Sequence, residues 1–247
     1  MNNINDTFFD GHYKDIWRAI IPEDLTNKEV DFMILYFKLQ PGSKVLDLMC
    51  GYGRHALALA KKGIEVTAVD NLDDYINEIK EASAQEGLPV KAIKQQVLDY
   101  KPTDKFDLVL CMGNSINFFN AADTVKLLGT IAASLKPGGH VLINSWSIAE
   151  IAIRNFKDRG WNTLGDMKFL TECKYLFQPT RIETESIIIM PDGKIETKKG
   201  IDYIFTMGEM EDMLTKAGLQ LAEVYSIPGK KKFTLGEPRA YIIASAK

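Results

Sequence analysis

One stretch constrains this chain more than any other. Val45-Leu46-Asp47-Leu48-Met49-Cys50-Gly51-Tyr52-Gly53-Arg54 reads as a short buried strand, a glycine turn and the start of a helix. Val45, Leu46 and Leu48 supply the apolar run of a strand covered on both faces. Gly51 and Gly53 remove two side chains where the backbone must turn sharply and where a ligand would approach it. His55 and the alanine- and leucine-rich segment 56–60 then carry a helix. A unit of this kind aims backbone N–H groups and a helix N-terminus at a nucleotide. It commits the chain to an α/β fold.

The spacing Gly51-Tyr-Gly53-Arg-His-Ala56 fits the dinucleotide pattern G-x-G-x-x-G/A. Asp47 turns the reading away from a nicotinamide cofactor. Its carboxylate sits at the strand end before the first glycine, where a pyrophosphate would meet an anion. A sulfonium cofactor with a cationic amino acid end suits it. Glu65-Val-Thr-Ala-Val69-Asp70 is a second strand that ends in an acid, about 20 residues after the turn, placed to accept from ribose hydroxyls.

With these residues the chain resembles the class I S-adenosylmethionine-dependent methyltransferases. VLDLMCGYGRHALALAKKG is similar to their first motif and VTAVD to the ribose motif. KFDLVLCMGNSINFF and LKPGGHVLIN are similar to the motifs around strands four and five. Gly113-Asn114-Ser115-Ile116, and Asp10-Gly11 with Trp17, resemble elements of the glycine N-methyltransferase-like small-molecule enzymes. The resemblance implies a Rossmann-like fold, a mostly parallel seven-stranded sheet with helices on both faces, and S-adenosyl-L-methionine as cofactor.

At 247 residues the chain is expected to form a single methyltransferase domain, with residues 1–40 as an N-terminal helical cap. A net charge of −3 offers no field for a nucleic acid backbone, and Lys230-Lys231-Lys232 is the one dense basic run. Three unclustered cysteines and three dispersed histidines argue for a reducing, cytoplasmic setting and against a zinc site. No apolar run reaches the length of a membrane span, and the N-terminus lacks the pattern of a signal peptide.

Strands and helices alternate up to Ile148 and then the pattern changes. Phe169–Gln178, Arg181–Met190 and Lys194–Phe205 read as three consecutive strands, with Pro191-Asp192-Gly193 as a hairpin turn. They predict an antiparallel β insertion over about 166–206, acting as a substrate lid. Its rival use is a homodimer surface. Arg181, Tyr203 and Trp161 are the large residues expected to line the cavity beneath it.

Position and resemblance together nominate the cofactor residues. Met49, Gly51 and Gly53 surround the methionine part with Asp47. Asp70 takes the ribose, with Asn71 beside it. Gln96 and Val97 meet the adenine, while Asp99 is expected to cap a loop. Met112 lies near the sulfur, and the resemblance places Trp17 over the cofactor. Cys50 packs beside the turn, where a helix N-terminus would lower its pKa. Asn114, after strand four, is the candidate for handling the acceptor, since its amide both donates and accepts. Trp146 stands where the glycine enzymes carry an arginine for the substrate carboxylate. That loss argues against glycine and for a larger, flatter or cationic acceptor. Asn27 likewise replaces an arginine expected near the cofactor carboxylate.

The expected reaction is in-line transfer of a methyl group to a nitrogen or oxygen of a small molecule, without a metal. A protein or RNA methyltransferase would need an open, charged cleft instead. A non-catalytic cofactor-binding module would lack an acceptor pocket. A nicotinamide oxidoreductase would need a catalytic Tyr-x-x-x-Lys and no Asp47.

Overall fold

The architecture was obtained as a computed structural model, which describes residues 3–246. Two helices lead the chain, α1 (Tyr13–Ile20) and α2 (Glu23–Tyr36). The alternating core follows: β1 (Lys44–Leu48), α3 (Arg54–Ala60), β2 (Glu65–Asp70), α4 (Asp73–Glu86), β3 (Val90–Lys94), β4 (Phe106–Cys111), α5 (Ala121–Ser134) and β5 (Leu135–Ser145). After α6 (Ala149–Asn155) come β6 (Arg159–Leu164), β7 (Met167–Phe177), β8 (Thr180–Ile189) and β9 (Ile195–Tyr203). The chain closes with α7 (Met207–Lys216), β10 (Leu219–Ile227), the two-residue β11 (Lys231–Lys232) and β12 (Ala240–Ala246).

The main sheet has the order β11-β10-β12-β5-β4-β1-β2-β3. β1 to β5 pair in parallel, and β12 and β10 join antiparallel. Seven strands of ordinary length are present, and β11 adds a short eighth at the edge. The alternation of each central strand explains why both faces are dry. Leu46 and Leu48 of β1, Val109 and Cys111 of β4, and Val141 and Ile143 of β5 enter one core, under α5, α6 and α7. Val45, Leu108, Leu110 and Leu142 enter the other, under α2, α3 and α4. Each such aliphatic side chain removed from water contributes about 1.5–3 kcal/mol.

The segment Lys136-Pro137-Gly138-Gly139 follows directly on α5 and already belongs to β5. The strand absorbs it through a register shift opposite β4, between Phe106 and Leu108. A Cβ at Gly139 would lie 2.9 Å from the carbonyl of Lys136 and 3.0 Å from that of Phe106, so only glycine fits this crossing.

The second sheet is antiparallel with the order β6-β7-β8-β9. Its fourth strand, β6, is mostly exposed and carries no apolar alternation, so it has no strand signature in the amino acid order. Ile16 of α1, Phe169 of β7 and Ile188 of β8 form a small core between this sheet and the N-terminal helix. The N-terminal segment then ties the two together. Asn5 donates to the carbonyl of Ile201 at 2.9 Å and accepts from its amide at 2.9 Å. Lys198 pairs with Asp10, and the amide of His12 donates to Glu196 at 3.0 Å. The Asp10-Gly11 element is therefore a strap onto β9.

Candidate functional site

The carboxyl ends of β1, β2 and β4 open into a pocket of about 930 Å³, mouth included. Asp47, Met49 and Gly51 line it from the first strand and turn, and Asp70 and Asn71 from the second. Gln96, Val97 and Met112 line it from the third and fourth, and Trp17 covers it from α1. The fold thus brings nine of the ten nominated cofactor residues to one cavity.

Gly53 is the exception and corrects the sequence reading. It is absent from the pocket wall, and a Cβ there would lie 2.5 Å from Cγ1 of Ile79 on α4. With φ of 77° it caps α3 in the left-handed region and lets two helices approach. Gly51 behaves differently. Its φ is 56°, and a Cβ built on it meets open space at the pocket. Met49 holds φ of 55°, a strained value for a side-chain-bearing residue, at the same turn.

Asp70 holds this turn in place. Its Oδ2 accepts from the amide of Gly51 at 2.9 Å and its Oδ1 from that of Leu72 at 3.0 Å. Burial raises its pKa, and these backbone donors partly offset the rise. Asp47 has no such support on one side. It is 1% exposed, and its Oδ2 has no hydrogen-bond partner. Burial pushes its carboxyl up to about 7, the Arg54 guanidinium and the Ala56 amide lower it, and Asp70 adds to the rise. Burial and the same two carboxylates hold the Cys50 thiol well above its ordinary value, so the expected activation by a helix N-terminus is absent.

A cation stands opposite these acids. Arg54 lines the pocket and is fixed from behind by Glu29 at 2.6 Å and Thr26 at 2.9 Å. Glu29 also bonds His55 Nε2 at 2.8 Å and accepts from the Tyr241 hydroxyl at 2.6 Å. Burial alone would raise the Glu29 carboxyl, but the His55 and Arg54 contacts pull it down to about 2. His55 is buried in this cluster as a structural partner, with its own pKa lowered by burial and by Arg54. Sequence reading did not single out Glu29, since a lone acid on an amphipathic helix normally faces water.

A second cavity of about 620 Å³, mouth included, lies between the main sheet and the antiparallel sheet. It shares Asn5, Phe9, Trp17, Gly113 and Phe118 with the first. Gly113 stands at this junction, with φ of 70° and no side chain to close it. Trp146 and Trp17 face each other at 5.7 Å between ring centroids. Tyr13 and Phe169 extend the aromatic wall.

Strand parity decides the rest of this wall. Register pairs Thr171 with Ser186 and Thr184 with Gly200, so these residues share the face turned to the cavity, and Asp202 lies two positions on from Gly200. Tyr203 has the opposite parity, Trp161 is 65% exposed, and Arg181 binds Glu183 at 2.9 Å. None of these three lines the cavity, contrary to expectation.

Asn114 sits on the cavity wall with its amide fully engaged. Its Nδ2 donates to Ser147 Oγ at 2.9 Å and to Asp202 Oδ1 at 3.0 Å. Its Oδ1 accepts from the amides of Trp146 at 2.9 Å and Ser147 at 3.0 Å. These bonds hold its left-handed backbone, φ 68°, and leave no free amide atom for an acceptor. Asp202, which sequence reading missed, is the ionisable group this arrangement presents. Burial pushes its carboxyl up to about 7, against the lowering effect of Asn114. Among the described residues no cluster of three or more His, Cys, Asp or Glu side chains could hold a metal ion, and no helix there is long and apolar enough to cross a membrane.

Residues 45–139 match the family model described as a methyltransferase domain. The ubiquinone biosynthesis O-methyltransferase of Coxiella burnetii is 32% identical over 198 residues, 78% of this chain and 72% of that one. The putative methyltransferase YqeM of Bacillus subtilis is 27% identical over 214 residues, 80% and 79% of the two chains. Among solved structures, an S-adenosylmethionine-dependent methyltransferase from Clostridium acetobutylicum shares the fold with a TM-score of 0.82 at 19% identity, covering 95% of this chain and 96% of that one.

Proposed function

Since this chain belongs to the class I S-adenosylmethionine-dependent methyltransferases, we propose that it methylates a nitrogen or oxygen of a small molecule held beneath the antiparallel sheet. S-Adenosylmethionine, when bound, supplies an electrophilic methyl group with a thioether as leaving group. The first pocket fits that cofactor on its own chemistry. The unpartnered Asp47 Oδ2 suits the cationic end, and Arg54 suits the carboxylate. Arg54 thereby stands in for the arginine absent at Asn27. Asp70, already fixed by two backbone amides, is oriented for the ribose, and Gln96 and Val97 flank the adenine position.

The observation that carries the acceptor reading is the second cavity. It is walled by aromatic and small polar side chains on both sides, and it meets the cofactor pocket at Gly113. We read the antiparallel sheet as a lid within one domain, excluding water from the transfer. A polypeptide or RNA acceptor would call for an open, charged cleft. The name of the Coxiella relative adds support for a small organic acceptor.

The test uses S-adenosylmethionine carrying a labelled methyl group and a bacterial extract split into a small-molecule fraction, protein and RNA. Label should enter the small-molecule fraction. Label confined to protein or RNA would overturn the proposal.

A further inference from the structure

We propose that the acceptor is an amine that enters as its cation, and that Asp202 both holds that cation and takes up its proton. This deepens the small-molecule reading and rests on it. Among the described residues that line the acceptor cavity there is one carboxylate, Asp202, and no lysine, arginine or histidine. An anionic group on the acceptor would meet that charge unopposed. A neutral alcohol would donate one hydrogen bond to it but leave its charge unbalanced. An ammonium group gains the charge pair and also the faces of Trp17 and Trp146, whose tilted rings flank the junction with the cofactor pocket.

The carboxylate is aimed as well as present. Asn114 donates to Oδ1 at 3.0 Å, and the same amide is locked by Trp146 and Ser147. Oδ2 has no hydrogen-bond partner among the described residues, which leaves it for the ligand. The groups facing it from the neighbouring elements stay out of the exchange. Tyr13 of α1 has its phenol pushed up by burial and by Asp202 itself, so it stays protonated. β7 and β8 contribute the hydroxyls of Thr171, Thr184 and Ser186. Ser186 Oγ is buried without a partner and offers a hydrogen bond to a second polar group of the acceptor.

The chemistry balances on these groups. The bound ammonium gives one proton to the Asp202 carboxylate and becomes a neutral amine. Its freed lone pair forms the new nitrogen–carbon bond while the carbon–sulfur bond breaks, and that electron pair stays on sulfur. The product is a methylated ammonium facing a neutral carboxylic acid, and the proton on Asp202 then passes to solvent. A carboxyl raised to about 7 is matched to this exchange near neutral pH.

The test is calorimetry on the chain saturated with S-adenosylhomocysteine, using benzylamine, benzyl alcohol and benzoate as probes of one shape. Wild type should bind benzylamine at least tenfold more tightly than either of the others. Asp202→Asn keeps shape and the bond to Asn114 while removing the charge. It should abolish that preference and leave affinity for S-adenosylhomocysteine within twofold. Equal binding of amine and alcohol by wild type, no binding of any probe, or a preference that survives in Asp202→Asn would each overturn the inference. If the variant is inert to the change while labelled methyl still enters small molecules, the amine assignment falls and the proposed function stands. Label found only in protein or RNA sinks both.

Discussion

The two cavities meet at Gly113, yet they are built in opposite ways. The cofactor pocket is built around one local unit: a glycine turn, strand ends, and a cation fixed from behind by a buried acid. The proposed acceptor cavity is assembled from distant segments: α1, the loops after β4 and β5, and one face of β7 to β9. Both contain a carboxylate raised to about 7 by burial, Asp47 on one side and Asp202 on the other. The difference teaches where tolerance should lie. Conformation limits change in the first pocket, whereas strand parity and chemistry limit it in the second.

The largest test of that contrast is Glu29→Ala. It strands Arg54, His55 and Tyr241 behind the cofactor pocket and should cost about 3–5 kcal/mol in urea unfolding. The same cluster sets an acid limb. The Glu29 carboxyl is depressed to about 2 from 4.5, so its contribution is complete above pH 4.5 and is lost as pH falls towards 2. That loss amounts to roughly 3 kcal/mol. His55 is held below 6.5 in the folded state, so protonation of the unfolded chain begins to erode stability once pH drops below 6.5. Wild-type unfolding followed from pH 7 to pH 3 should show this decline, and a flat profile would remove the cluster from its supporting role.

Asp47→Asn comes next. It should weaken S-adenosylmethionine binding by about 1.5–3 kcal/mol, the scale of a hydrogen bond to a charged group, without lowering stability. Unchanged affinity in calorimetry would detach Asp47 from the cofactor.

Two glycines separate turn from ligand. Gly53→Ala should cost about 1–3 kcal/mol of stability through the contact with Ile79 and the left-handed φ, with near-normal affinity in the folded fraction. Gly51→Ala carries similar backbone strain but should also lower cofactor affinity. Equal effects of both on affinity would erase the distinction drawn between them.

The smallest effect has the opposite sign. Ser186→Ala removes a buried hydroxyl that has no partner, so thermal unfolding should rise by up to about 1 kcal/mol equivalent. A fall would mean that the hydroxyl is satisfied in the free protein and that the acceptor wall holds no unspent hydrogen bond.

Much of the cofactor side was legible in the amino acid order because its causes are local. A buried strand, a glycine turn and a helix start lie within twenty residues, and each element has a distinct signature. Gly53 was misassigned because a left-handed cap and a ligand-approach glycine look alike in sequence. The space that separates them is filled by Ile79 on another helix. Asn114 was noticed for its chemistry, but its partners Ser147 and Asp202 lie 33 and 88 residues away. On the acceptor side the strands of the insertion were readable from β-branched and aromatic runs, while their inward face was not. Beyond Phe169, its side chains toward the cavity include Thr171, Thr184, Ser186 and Asp202, a polar set that hydrophobic alternation would turn to solvent.

The sequence by itself determined that a parallel α/β core would form, that a glycine turn would follow its first strand, and that Asp47 and Asp70 would stand at that turn. These follow from short-range sterics and from apolar periodicity, which act the same way wherever the chain goes. Only the tertiary structure decided which face of the antiparallel sheet turns to the second cavity. It also decided that Asp202 becomes the acceptor cavity's carboxylate and that Glu29 anchors Arg54. Those outcomes depend on register between strands, where a shift of one residue exchanges the two faces, and on the burial that reprices a charge once distant segments pack around it.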